Sequence, residues 1–136
     1  MFKGLFKLGQ KADYQPCVLV VSDSSADLAY AASTLEANGY LVHKAEGLTP
    51  ALDLLNGLEM PDVFIVDFLH PETDGTDFIN KIRVRYGKST LSPVIFLLDT
   101  PEDEAVAHAL GVQEVLPKPL EAEKLLLCLN SFSARA

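Results

Sequence analysis

Apolar positions recur along this chain in two rhythms, and the alternation between them predicts its elements. Cys17-Val-Leu-Val-Val21 is a continuous apolar run, the pattern of a strand covered on both faces. Leu28, Ala31, Ala32 and Leu35 follow at i, i+3, i+4 and i+7 and share one helix face. Asn38-Gly39 stops that helix, because glycine accepts left-handed backbone beyond a helix end. Tyr40-Leu-Val-His43 reads as a second strand. Thr49-Pro50 then opens a second helix, a capping hydroxyl followed by proline at the first helical position, with Ala51, Leu54, Leu55 and Leu58 turned inward.

Pro61-Asp62 breaks the chain ahead of Val63-Phe-Ile-Val66, a third strand that ends at Asp67. A loop containing Asp74-Gly75 leads to a helix with Phe78, Ile79, Ile82 and Tyr86 inward. Pro93-Val-Ile-Phe-Leu-Leu98 is a fourth strand, with proline at its mouth where a missing donor matters least. Asp99-Thr100-Pro101 caps a short fourth helix ending at Gly111, Val112 to Leu116 is a fifth strand, and Leu125, Cys128, Leu129 and Phe132 stripe a last helix. Strands alternating with helices predict an α/β fold: a doubly wound, five-stranded parallel sheet joined by right-handed crossovers.

Composition narrows this picture. The 136 residues suffice for one domain, and at 49% hydrophobic the chain is too apolar for disorder. No apolar run approaches the roughly 20 residues of a transmembrane segment. A net charge of −8 disfavours nucleic acid as a partner and fits a cytoplasmic protein that binds proteins or cations. Residues 1–14 differ: Lys3, Lys7 and Lys11 interleave with Phe2, Leu5, Phe6 and Leu8 against one acid, Asp13. They read as a basic tail preceding a domain over 15–136, either frayed, packed on its own domain, or forming an amphipathic helix for a membrane or partner. Cys17 and Cys128 lack metal-type spacing and read as buried small hydrophobes.

Ligands of such sheets bind at the carboxyl ends of the strands. Ser22 and Asp23 stand after the first strand, Asp67 after the third, Leu98 and Asp99 after the fourth, and Lys118 after the fifth. Aspartates crowded in one crevice require a compensating cation or lysine. Carboxylate and carbonyl oxygens suit Mg²⁺, and a carboxylate beside Mg²⁺ and an ammonium is a workable phosphoryl acceptor.

Val18-Leu-Val-Val-Ser-Asp23, Pro61-Asp-Val-Phe-Ile-Val-Asp-Phe-Leu-His-Pro-Glu-Thr-Asp-Gly75, Pro93 to Leu98 and Pro117-Lys-Pro119 resemble the receiver domains of two-component response regulators, over about residues 16 to 130. The resemblance implies the flavodoxin-like (βα)5 receiver fold and a signalling module, not an enzyme. It makes Asp67 the phosphoacceptor, Asp23, Asp67 and the Leu69 backbone carbonyl the Mg²⁺ ligands, and Lys118 the partner of Asp67 or its phosphoryl oxygens. The Lys118–Pro119 bond matches one that is cis in the family. A sensor histidine kinase or phosphotransfer protein would supply the phosphoryl group. A downstream protein target would dock on the face of the fourth helix, fifth strand and fifth helix.

Three positions depart from that pattern. Ser22 replaces the first of two acidic residues, which weakens Mg²⁺ binding without abolishing it. Leu98 replaces a Thr or Ser whose hydroxyl bonds the phosphoryl group, with Thr100 as a possible stand-in, and Val115 replaces the aromatic that moves with that hydroxyl. Asp99 would either repel a phosphoryl donor or cap the fourth helix. His70 reads as a loop residue near the pocket, and His43 and His108 as surface positions. Glu102-Asp103-Glu104 suits a helix's first turn.

Two readings compete, with a third behind them. One is a single-domain receiver phosphorylated on Asp67 that signals by protein contact. The other is a pseudo-receiver, the same fold serving as a phosphorylation-independent binding module. A third, a flavodoxin-like cofactor site at Ser22, Ser24 and Ser25, lacks the glycine a phosphate loop needs.

Overall fold

Position parity divides each apolar run between two cores. Leu19, Val21, Phe64, Val66, Val94, Phe96 and Leu98 face one side of a sheet, while Val18, Val20, Val63, Ile65, Ile95 and Leu97 face the other. A strand sends successive side chains to opposite faces, so an uninterrupted run requires cover on both. The computed structural model describes residues 15–87 and 92–135 and supplies that cover; the basic segment 1–14 lies outside the described residues.

The elements run β1 (Cys17–Ser22), α1 (Ser25–Ala37), β2 (Leu41–Glu46), α2 (Leu48–Leu55), β3 (Val63–Asp67), α3 (Thr76–Tyr86), β4 (Val94–Leu98), α4 (Glu104–Ala109), β5 (Glu114–Pro117) and α5 (Ala122–Arg135). All strand pairs are parallel, in the order β2-β1-β3-β4-β5. Leu28, Ala31 and Leu35 of α1 and Leu125 and Leu129 of α5 pack on one face. Ala51 and Leu55 of α2, Phe78, Ile79 and Ile82 of α3 and Ala107 of α4 pack on the other. This is the doubly wound, flavodoxin-like arrangement the alternation predicts.

Local differences have local causes. The second strand begins after Tyr40, which is buried, and continues to Glu46. The second helix begins at Leu48 behind Gly47, whose φ of 98° suits only glycine, so Thr49 makes no cap. The loop after β3 contains a wide π-helical turn, Pro71–Gly75, which runs directly into α3. Gly75 packs closely there: a Cβ on it would stand 3.1 Å from the Phe96 ring, which would have to give way slightly. The fourth helix is preceded by a 3-10 turn, Pro101–Asp103, flanked by Thr100; Asp99 does not cap it. Cys17 and Cys128 are half-buried, not fully buried, and neither forms a disulfide. His43 is half-buried on the edge strand, and His108 is exposed beside Glu104 at 3.3 Å.

Candidate functional site

The register of β1 and β3 puts Ser22 directly beside Asp67. Both continue the parity that points toward α1 and α5. Asp67 is the buried charged residue of the sheet, at 4% exposure, and Ser22 at 1% is its buried polar neighbour. The Ser22 hydroxyl donates to Asp67 Oδ2 at 2.8 Å. Its oxygen also accepts the Ser24 backbone N–H at 3.0 Å, which ties the start of α1 to the site.

Lys118 follows β5, whose end lies beside β4 with Leu98 opposite Pro117. Its backbone N–H donates to the Leu98 carbonyl at 2.9 Å, and the Lys118–Pro119 bond is cis, as the resemblance implies. Its Nζ reaches Asp67 Oδ1 at 3.1 Å and Oδ2 at 3.2 Å. The same ammonium lies 2.9 Å from Asp27 Oδ2 and 3.7 Å from Asp99 Oδ1. Asp27 escapes a reading of the sequence because nothing local marks it as a partner of Lys118.

Asp23 is exposed at the mouth of the crevice. Its backbone N–H donates to the Asp67 carbonyl at 3.1 Å, and its Oδ2 accepts the Leu69 backbone N–H. Gly47 leaves room for it, since a Cβ there would meet Asp23 Oδ1 at 3.2 Å. Asp23, Ser24, Asp67, Leu69, Asp99 and Lys118 line a cleft of about 140 Å³. Leu98 and Val115 line a different groove, about 350 Å³, with Thr100, Pro101 and Glu104. The Thr100 hydroxyl donates to Asp103 Oδ2 at 3.1 Å, so it does not replace the hydroxyl missing at Leu98.

Burial raises the Asp67 pKa, against the opposing pull of the Ser22 hydrogen bond and of Lys118. Burial would lower the Lys118 pKa, but its bonds to Asp27 and Asp67 outweigh that and raise it. Both values rise, which favours the neutral form of Asp67 and the charged form of Lys118: Asp67 is the more deeply enclosed partner and bears more of the desolvation.

Among the described residues, no three His, Cys, Asp or Glu side chains are grouped to hold a metal. Two carboxylates, Asp23 and Asp67, line the cleft with Leu69, and oxygen donors of this kind fit a hard divalent cation that retains water. Three carboxylates around one ammonium, with Asp23 lining the same cleft, also leave the crevice electronegative.

Residues 18–130 match the family model for the response regulator receiver domain. Among curated proteins, response regulator MprA of Mycobacterium tuberculosis is 28% identical over 120 residues, covering 87% of this chain and 50% of that protein. Protein PetR of Rhodobacter capsulatus is 29% identical over 122 residues, covering 88% of this chain and 49% of that protein. The chain thus spans about half the length of these relatives. Among solved structures, the Vibrio cholerae chemotaxis protein CheY4 superposes with a TM-score of 0.75 at 28% identity, covering 88% of this chain and 99% of that one. The receiver domain of Francisella response regulator 1452 gives 0.73 at 28% identity, covering 89% and 98%. No helix among the described residues is long and apolar enough to cross a membrane.

Proposed function

Because the chain belongs to the response regulator receiver family of two-component systems, we propose that it accepts a phosphoryl group on Asp67 and passes the signal on by protein contact. The observation that carries this reading is the setting of Asp67. Its carboxylate is buried at the end of a central strand, held by Ser22 and Lys118, and lines a cleft open to solvent beside Asp23.

The proposed donor is a phosphohistidine on a sensor kinase or phosphotransfer protein. An Asp67 carboxylate oxygen attacks phosphorus, the N–P bond breaks, and its electron pair returns to the donor's imidazole, leaving an acyl phosphate. Lys118, bonded to Asp67, follows the phosphoryl oxygens in this reading, and the Ser22 hydrogen bond orients the carboxylate. Mg²⁺ held by Asp23, Asp67 and the Leu69 carbonyl would neutralise charge on those oxygens. Ser22 weakens that site by contributing a hydroxyl, already engaged with Asp67, where the family has a carboxylate.

Leu98 favours the second reading, a pseudo-receiver that binds partners without phosphate. Its side chain belongs to the apolar core on the α2–α4 side and offers no hydroxyl to the crevice. In either case the proposed docking face is α4, β5 and α5, where Leu98 and Val115 floor a groove rimmed by Asp99 and Glu104. Intact-mass spectrometry after incubation with acetyl phosphate and Mg²⁺ separates the readings. One added phosphoryl group in the native chain, absent in Asp67→Asn, supports the phosphoacceptor. No gain, with no Mg²⁺ binding by titration, leaves the binding module.

A further inference from the structure

The Lys118 ammonium is shared, and its shortest contact is not with Asp67. Asp27 Oδ2 lies at 2.9 Å, ahead of the two Asp67 oxygens at 3.1 and 3.2 Å and Asp99 at 3.7 Å. Asp27 is itself fixed at the start of α1, where its backbone N–H donates to the Ser24 hydroxyl at 3.2 Å. The helix N-terminus favours a negative charge there, which helps hold the carboxylate in place. An ammonium has three protons to donate, and here they are divided between carboxylates on two different elements. Any phosphoryl group added to Asp67 must draw Lys118 away from Asp27 or share it.

We propose that Asp27 is a positioning residue that holds Lys118 on the α1 side of the crevice, competing with the phosphoryl group for the ammonium and limiting how readily Asp67 is phosphorylated. This rests on Asp67 being the phosphoacceptor. Asp27 acts in two ways with the same sign: it occupies part of the lysine, and it adds a negative charge on the approach of an anionic donor. A helix-stabilising aspartate with no part in the site would affect only the melting temperature.

The first arm of the test follows the Lys118 ammonium by nitrogen-15 NMR and needs no phosphorylation. The signal is expected to stay protected from solvent exchange in Asp67→Asn and to be lost in the Asp27→Asn, Asp67→Asn double variant. Its loss in Asp67→Asn alone overturns the proposal. The second arm measures phosphoryl uptake from acetyl phosphate. Asp27→Asn is expected to lower the half-saturating donor concentration by roughly three- to tenfold, the size of one nearby, partly screened charge. Glu36→Gln, which removes a charge from the far end of the same helix, should leave it unchanged. Equal uptake by Asp27→Asn and the native chain overturns the proposal. Uptake by neither sinks the acceptor reading and the competition with it, while the ammonium signal still decides whether Asp27 is what holds Lys118.

Discussion

Ser22 and Asp67 lie opposite each other in the parallel register of β1 and β3, and the Ser22 hydroxyl donates to Asp67 Oδ2 at 2.8 Å. The hydroxyl has one proton, and the Ser24 carbonyl at 3.1 Å is its alternative acceptor. The buried carboxylate, being charged, is the stronger claimant. A serine here therefore relieves a buried aspartate, where an acid would repel it.

Two substitutions at this position should both destabilise the chain, but only one of them in a way that Mg²⁺ reverses. Ser22→Ala removes a hydrogen bond to a charged buried group and should cost about 1.5–3 kcal/mol in urea denaturation. Ser22→Asp should destabilise the chain in metal-free buffer, and Mg²⁺ should restore stability and bind more tightly than it does to the native chain. Calorimetric titration with Mg²⁺ decides: affinity unchanged by Ser22→Asp means that Ser22 is not what weakens the cation site.

The raised pKa of Asp67 gives it a pH signature opposite to that of a salt-bridged surface aspartate. Its native state binds the proton more tightly than the unfolded chain does. Between the two pKa values stability therefore rises as pH falls, and above the native pKa the ionised carboxylate is a constant cost. Asp67→Asn removes that cost. The variant is expected to melt above the native chain at neutral pH, with the gap narrowing as pH falls through the native pKa of Asp67. A gap that stays constant from pH 7 to pH 4 would refute this account.

The strands and helices were legible because parity and helical spacing are local. A continuous run such as Val63-Phe-Ile-Val66 demanded two covered faces, and Phe64 and Ile65 are fully buried in the apolar cores on opposite sides of the sheet. Ser22, Asp23, Asp67 and Lys118 were legible because strand ends converge in this topology. Asp27 was not, since its partner Lys118 is brought to it only when the end of β5 comes to rest beside α1. Asp99 could be read as a cap or as a crevice residue, and the turn at Pro101 decided between them by using Thr100 as its flank. Gly47 was passed over because its role, a positive φ beside Asp23, depends on a contact between β1 and the end of β2.

Gly75 offers a test of the packing that seats the Asp67 loop. Its φ is ordinary, so the preference for glycine comes from packing: a Cβ would stand 3.1 Å from the Phe96 ring and 3.4 Å from Leu110 Cδ1. Gly75→Ala should cost about 1–3 kcal/mol through overpacking. Pairing it with Phe96→Leu should recover part of that loss in a double-mutant cycle. Strictly additive losses would mean that the ring is not the obstacle.

Leu98→Thr asks whether the hydroxyl missing from the crevice can be restored by one change. The parity of β4 sends residue 98 to the α2–α4 side, with Phe96 and Val94, whereas Asp67 continues the opposite parity toward α1 and α5. A threonine hydroxyl would enter an apolar cluster at a position only 6% exposed. The variant should lose about 2–3 kcal/mol of stability, from lost apolar burial and a desolvated hydroxyl. If Asp67 is phosphorylated, the half-life of its acyl phosphate should stay within about twofold of the native value, since a hydroxyl held on the far side makes none of the roughly 1.5–3 kcal/mol bond to a charged group. A clearly longer half-life would show that the end of β4 turns toward Asp67 once the phosphoryl group is present, and that Leu98 alone keeps this chain from the family's usual contact.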